Sequence, residues 1–228
     1  MTGGGVFKKS STTNTKMLTG VYSDPNHAIA GTAGGLRAIG VCLEDVFVLG
    51  CDDGETWWTL LGKVTREDSV TVDFGPKAPR VGVLAATASA EGLTFADGNT
   101  WRRLPREADI FEEVVVPSDA TPEVEGAYRD DDGGTGLAGL HFVSKRLGKT
   151  EREEVVVVES HDGRSFFARP GGCLDEGLFG VPGVGDGVGE AHVGRDGRLR
   201  FLLDDTVWTK LRLKADPHAL VAASLSSA

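Results

Sequence analysis

The chain has 228 residues, of which 40% are apolar, and carries a formal net charge of −10. This composition predicts a folded globular protein, and the acidic balance argues against a nucleic-acid partner, because phosphate binding needs a basic surface. No apolar run approaches the roughly 20 residues that a membrane span requires, so we expect none. The three cysteines, Cys42, Cys51 and Cys173, match neither a disulfide framework nor a zinc pattern and favour a reducing compartment.

The first 17 residues are rich in serine and threonine and contain three lysines but no acidic residue. We predict that they form a flexible arm, in which Phe7, Lys8 and Lys9 are candidate assembly contacts. The opposite charge is concentrated in residues 105 to 125, which hold seven acidic residues against one basic residue. These two segments either attract each other, within or between molecules, or are simply two solvated polar stretches.

The remaining chain contains one pattern twice, in residues 18 to 104 and 124 to 211. The equivalent residues are Gly20, Tyr22, Asp24, Trp58, Phe95 and Trp101 in the first repeat and Gly126, Tyr128, Asp130, Phe167, Phe201 and Trp208 in the second. A tandem duplication explains the pattern. We therefore predict two β domains related by a pseudo-twofold axis, with a connector at 105 to 123 and a tail at 212 to 228.

Abundant glycine and short runs of Val, Thr, Phe and Trp predict an all-β fold for both repeats. In the first repeat we predict strands at 20–23, 36–43, 46–51, 57–61, 69–74, 81–86, 92–95 and 101–104. In the second repeat we predict strands at 126–129, 137–144, 155–160, 165–168, 178–181, 189–193, 198–202 and 207–213. About eight short strands per repeat allow either a small antiparallel barrel or a two-sheet sandwich.

Asp-Gly pairs between the strands predict tight hairpins, because both residue types tolerate positive φ. The pairs are Asp53-Gly54, Asp97-Gly98, Asp162-Gly163 and Asp196-Gly197. Across the repeats the first pair matches the third, and the second lies close to the fourth.

Two valine runs give further predictions of local structure. The run of four valines at 155 to 158 lacks alternation, which indicates burial on both faces or coverage by a neighbour. In the connector, the valine run at 114 to 116 before Pro117 predicts an edge strand that ties the repeats together.

The tail is predicted to contain a short helix over 217 to 225, because Asp216-Pro217 places a capping residue before a proline. This apolar segment docks either on its own chain or on a neighbouring copy. Its candidate assembly contacts are Leu213, Leu220, Val221 and Leu225.

The candidate functional residues have plain structural interpretations. Asp24 and Asp130 either help to bind a cation or a partner or, as we favour, accept hydrogen bonds from turn amides. The tryptophans at 57, 58, 101 and 208 suit a flat ligand, but their recurrence favours a core position, and an exposed member would indicate an interface. The five histidines lack metal-site spacing. No catalytic motif, cofactor site or metal site is predicted.

Three segments resemble a β-rich protein family of algae with plastids: Gly-Val-Tyr-Ser-Asp-Pro-Asn-His (20–27), Val-Asp-Phe-Gly-Pro-Lys (72–77) and Phe-Ala-Asp-Gly-Asn-Thr-Trp (95–101). Together with the duplication, they make the chain similar to the pyrenoid shell proteins. The resemblance implies a structural protein in the chloroplast stroma that assembles into a sheet or tube around the Rubisco-rich pyrenoid. Its implied partners are copies of itself and Rubisco or the pyrenoid matrix, and such a wall needs no active site.

The residue patterns leave two other functions open. One is a plastid binding module that holds a small ligand or carbohydrate near its tryptophans. The other is an enzyme of the carbon-concentrating pathway, such as a carbonic anhydrase. The repeat and the lack of catalytic motifs favour the structural protein.

Overall fold

The computed structural model describes residues 15–29, 32–114, 116, 123–131, 134–145, 154–175, 178–182, 188–202 and 205–226. These residues form seventeen β-strands, two short 3-10 turns and one α-helix, so the predicted all-β class is confirmed. Within them, no helix has the length and apolar character needed to cross a membrane.

The strands before residue 104 are β1 (Gly20–Ser23), β2 (Leu36–Cys42), β3 (Asp45–Cys51), β4 (Trp57–Arg66), β5 (Ser69–Asp73), β6 (Val83–Ala88), β7 (Gly92–Phe95) and β8 (Thr100–Arg103). Each pairs antiparallel with the next, and β8 pairs with β1, so the eight strands close into a barrel. Side chains alternate between the two faces of each strand, and those that point inward fill the barrel. The largest of them are Tyr22, Trp58, Leu60, Phe95 and Trp101.

The later strands are β9 (Phe111–Glu113), β10 (Gly126–Asp130), β11 (Leu140–Lys145), β12 (Glu154–Ser160), β13 (Phe167–Asp175), β14 (Leu178–Pro182), β15 (Val188–Val193), β16 (Leu199–Phe201) and β17 (Val207–Leu213). From β10 onward each strand pairs antiparallel with the next, and β17 pairs with β10. This second ring has its own smaller core, which includes Tyr128, Val157 and Trp208.

A third apolar core joins the barrel to the second ring. It contains Leu36 and Leu49 from the barrel strands and Phe142 from the second ring. We call it the shared core. It explains the valine run: Val155 and Val157 face the core of the second ring, whereas Val156 and Val158 face the shared core. The prediction that this strand is buried on both faces is confirmed.

The connector contributes a strand, although at a different place from the prediction. Phe111–Glu113 pairs antiparallel with Leu211 to Leu213 of β17, three residues before the predicted run at 114 to 116. The reason is burial, since Ile110 and Phe111 supply the side chains that enter the shared core.

The tail docks on its own chain. Helix α1 (Pro217–Ser226) begins after Asp216, whose Oδ1 accepts a hydrogen bond of 2.9 Å from the amide of His218. Val221 lies in the shared core, and Leu213 and Leu220 pack against it. These three side chains therefore pack within their own molecule, and their assembly role stays a prediction. The helix includes residue 225, whose side chain lies outside the described residues, as do Phe7, Lys8 and Lys9.

The Asp-Gly pairs lie between antiparallel strands as predicted, but in connections of four to six residues rather than in tight two-residue hairpins. Asp53 Oδ1 accepts bonds from the amides of residues 55 and 56, and Asp162 Oδ1 accepts from those of 164 and 165. These two turns join equivalent strands, β3 to β4 and β12 to β13. The turn at Asp97 joins β7 to β8, but the turn at Asp196 joins β15 to β16, so the second and fourth pairs are not equivalent.

Because the barrel and the second ring contribute to one shared core, we expect them to unfold together. Phe142 lies 5.8 Å from Trp57 of the barrel and 6.0 Å from Phe111 of the connector, measured between ring centroids. We expect Phe142→Ala to lower the free energy of unfolding by about 3–5 kcal/mol while unfolding stays a single transition. Val81→Ala, at a 45% exposed side chain, is the control and should change it by under about 0.5 kcal/mol. Separate melting of the two parts, or equal effects of both variants, would contradict the shared core.

Candidate functional site

A buried ion cluster lies inside one end of the barrel. Arg37 of β2 is 1% exposed, and its Nη2 donates hydrogen bonds to Asp24 Oδ2 at 2.9 Å and to Asp52 Oδ1 at 2.6 Å. Its Nη1 donates to the carbonyl oxygens of residues 36 and 51. A buried guanidinium requires such partners, because an unpaired charge away from water is strongly destabilising.

Aromatic rings enclose this guanidinium. Its Cζ lies 5.0 Å from the ring centroid of Trp58 and 5.5 Å from that of Trp101. Lys77 pairs with Asp52, and its Nζ lies 4.1 Å from the ring centroid of Trp58. Stacked cations and rings of this kind attract each other. The side chains of residues 24, 37, 52, 58, 77 and 101 form the Arg37 cluster.

Burial and charge act against each other in the Arg37 cluster. Partial burial opposes the ionised form of Asp52, but the hydrogen bond from Lys77 and the charge of Arg37 outweigh it and hold the pKa of Asp52 below its ordinary value. Burial lowers the pKa of Lys77 in spite of its bond to Asp52. The opposite charges therefore remain paired at neutral pH.

The second ring has a related cluster in which histidine replaces arginine. Tyr22 is opposite Arg37 in the β1–β2 register, and Tyr128 is opposite His141 in the β10–β11 register. The imidazole Nε2 lies 2.8 Å from Asp130 Oδ1, and Nδ1 lies 3.2 Å from Glu159 Oε2. Asp130 thus takes the place that Asp24 has in the barrel.

The imidazole also contacts an aromatic ring and a further ion pair. It stacks on Trp208 with 3.7 Å between ring centroids and 15° between planes. Arg169 Nε lies 2.5 Å from Glu159 Oε1. Residues 130, 141, 159, 169 and 208 form the His141 cluster.

A glycine explains why two equivalent aromatic residues lie in different places. Trp58 pairs with Gly50, and a Cβ on that glycine would lie 2.4 Å from the Trp58 ring. Phe167 pairs instead with Glu159, which has a side chain where the barrel has a glycine, and Phe167 is 53% exposed. The predicted core position is therefore wrong for Phe167. An interface becomes its next candidate role.

The repeated Gly-x-Tyr motif has a structural role in both repeats. Tyr22 donates a hydrogen bond of 2.9 Å to the carbonyl of residue 18, and Tyr128 donates one of 2.7 Å to that of residue 124. Burial raises the pKa of both phenols, which therefore stay protonated and able to donate. Gly20 has φ of 151°, and a Cβ there would lie 2.5 Å from Arg103, which explains the glycine.

The other paired aromatic residues fill the interiors. Phe95 and Trp101 meet edge to face, with 4.5 Å between ring centroids, and Phe201 and Trp208 are also 4.5 Å apart. Asp24 has the predicted turn role, because its Oδ1 accepts a hydrogen bond from the amide of residue 26. It also serves the Arg37 cluster, so one carboxylate has two roles.

A cleft of about 770 Å³ separates the connector from the second ring. Its described lining includes six carboxylates and three basic side chains, with Phe111 and Leu211 as its large apolar members and no tryptophan. A flat apolar ligand would find little complementary surface there. Among the described residues, no three His, Cys, Asp or Glu side chains converge as a metal site requires.

No protein-family model, curated protein or solved structure matches the chain. The interpretation therefore depends on the residues and contacts themselves. The resemblance to pyrenoid shell proteins stays a prediction.

The sequence did not reveal either ion cluster: Asp24 and Asp130 were assigned to turns or to a cation or partner site, and Arg37 and His141 were given no partner. A signal was present: Arg37 and His141 each follow the first leucine of a strand and precede apolar residues, at the same place in the two repeats. A charged residue at such a position predicts a buried partner. The identity of the partners depends on strand pairing and could not be read from the chain.

The close contact between Gly50 and the Trp58 ring predicts that a larger residue at position 50 lowers stability. We expect Gly50→Ala to lower the free energy of unfolding by about 1–3 kcal/mol, because the added methyl group displaces the indole ring. Tryptophan emission should shift to longer wavelength. The matched control is the same substitution in a Trp58→Leu background, where the penalty should largely disappear. An equal penalty in both backgrounds would show that the ring is not responsible.

Proposed function

We propose that the protein is a structural protein built from two tandem, duplicated β-barrel domains, which self-assembles into a sheet or tube. The repeated strand order of β1 to β8 and β10 to β17 supports the duplication. So do the matching Tyr–carbonyl bonds and the equivalent Asp–Arg and Asp–His pairs. The shared core makes the two domains one block with a fixed relative position.

The observation that carries the proposal is the exposure of the Leu43 side chain. This residue lies in the turn between β2 and β3, is 89% exposed and has φ of 58°. A leucine in left-handed conformation costs roughly 1 kcal/mol, a cost that glycine or asparagine largely avoids. The antiparallel pairing of β2 with β3, which this two-residue turn closes, offsets the cost, but none of the described residues covers the side chain. Contact with a second molecule would cover it.

Other exposed apolar side chains extend the contact surface. Phe167 pairs with Val41, two residues before Leu43, and this places both exposed side chains near the same end of β2. We call Leu43 and Phe167 the assembly patch. Val83 is exposed on β6, four strands from β2 in the eight-stranded barrel and therefore on the opposite wall. Apolar contacts on opposite walls let one molecule bind two neighbours, which produces an open array rather than a closed dimer.

The resemblance supports a more specific role. In this proposal the array is the sheath around the Rubisco-rich pyrenoid in the chloroplast stroma, where it confines Rubisco and limits the loss of carbon dioxide. Rubisco or the pyrenoid matrix would contact one face of the sheath. The role requires no cofactor and no catalytic step.

The ligand-binding alternative has less support. Of the tryptophans that this alternative would use, Trp58, Trp101 and Trp208 pack inside the barrel and the second ring against the ion clusters. Trp57 packs in the shared core. A ligand near them would have to displace buried side chains. The structural role uses side chains that are already exposed.

Leu43→Asn tests the proposal. Asparagine tolerates the left-handed conformation, so we expect the monomer to gain about 0.5–1 kcal/mol of stability. The concentration at which higher oligomers appear in sedimentation velocity should rise at least about tenfold, because burial of a leucine contributes 1.5–3 kcal/mol.

The control is Leu202→Asn, which removes a 54% exposed leucine from the second ring, outside the assembly patch. It should leave association unchanged. The proposal fails if Leu43→Asn associates like the unsubstituted protein, or if the unsubstituted protein remains monomeric at high concentration.

A further inference from the structure

The two halves of the chain differ at one buried position in a way that affects how each responds to pH. Arg37 and His141 are equivalent in strand register, and each contacts an aspartate from the first strand of its ring, Asp24 or Asp130. An arginine side chain keeps its charge throughout the physiological pH range, whereas a histidine side chain gains or loses a proton within it.

Every element packed around His141 presents a group that responds to this charge. The neighbours are Asp130 from β10, Glu159 from β12, Arg169 from β13 and Trp208 from β17. His161, at the turn after β12, also acts on Glu159. His141 is 2% exposed, so water cannot replace a lost partner without local opening.

The charges in the His141 cluster balance only when the imidazole is protonated. Asp130 and Glu159 then face one imidazolium and one guanidinium. After His141 loses its proton, Arg169 still pairs with Glu159, but Asp130 loses the cation that tied it to β11. A carboxylate left with less compensation at the edge of the core is destabilising.

We propose that His141 is a pH-responsive element that holds β10, β11 and β12 together when protonated and weakens the second ring when it loses its proton, whereas Arg37 keeps its charge at the equivalent place in the barrel. The inference goes beyond self-assembly and does not depend on it, because it concerns the fold of a single molecule.

The direction of the effect follows from the contacts. Burial opposes a charged imidazole, but the close contacts with the negatively charged Asp130 and Glu159 outweigh burial and raise the pKa of His141. Burial would likewise raise the pKa of Glu159, but its contacts with His141 and Arg169 lower it, so the carboxylate stays ionised. The stabilisation from His141 is fully present below its unfolded pKa of about 6.5 and is lost as the pH rises through the folded value.

Thermal unfolding of the full chain between pH 6 and pH 9 tests the inference, at a concentration where the protein sediments as a single species. His141→Arg places in the second ring the residue that the barrel already uses. We expect the Tm of the unsubstituted protein to fall over this range by at least about 3 °C more than that of His141→Arg. Equal pH dependence of the two proteins would overturn the proposal.

A second measurement keeps the test decisive if His141→Arg does not fold. The C2 proton resonance of His141, assigned by its absence in His141→Gln, should titrate with a midpoint above 6.5 in the unsubstituted protein. A midpoint at or below 6.5 would overturn the proposal, because the folded state would then bind the proton no better than the unfolded chain. Neither measurement involves self-association, so failure here leaves the assembly proposal standing.

Discussion

Apolar contact between the outer faces of two sets of strands is the constraint on which the rest of the structure depends. Small antiparallel barrels usually bury one face and expose the other, but here the strands around Leu49 and Phe142 are apolar on both faces. The outer faces meet in the shared core, which the connector at Phe111 and helix α1 at Val221 also enter. Separation of the halves would expose this surface to water. The two halves therefore behave as one block.

The ion clusters inside the two rings show how equivalent positions can diverge. Both rings hold a cation against an aspartate and an aromatic ring, but one cation is Arg37 and the other is His141. Because a buried pair loses most of its Coulomb gain to desolvation, such clusters contribute more to a specific arrangement of strands than to net stability. Replacement of arginine by histidine then makes that arrangement in the second ring sensitive to pH. The first barrel keeps a permanent charge in the same place.

Strand positions were predictable because they depend on local alternation and turn chemistry. Every strand predicted in the two repeats overlaps an observed one. Both faces of the valine run are buried, which is one of the two alternatives that its sequence predicted. Features that depend on contacts between residues far apart in the sequence were not predictable. Phe167 was placed in a core because its own position matches Trp58, yet it is exposed, and its partner on the adjacent strand is Glu159 where Trp58 has Gly50. The site of helix docking likewise depends on tertiary packing, and so do the partners of Arg37.

Exposed apolar side chains lie on opposite walls of the barrel, Leu43 on one and Val83 on the other, and in the proposed assembly they are the contacts that would build an extended array. The proposed sheath requires that these contacts repeat with a fixed geometry, which distinguishes an array from nonspecific aggregation. Negative-stain electron microscopy of the purified full chain over a concentration series tests this most directly. The account predicts sheets or tubes with a regular repeat as concentration rises. Uniform small particles at every concentration would contradict it.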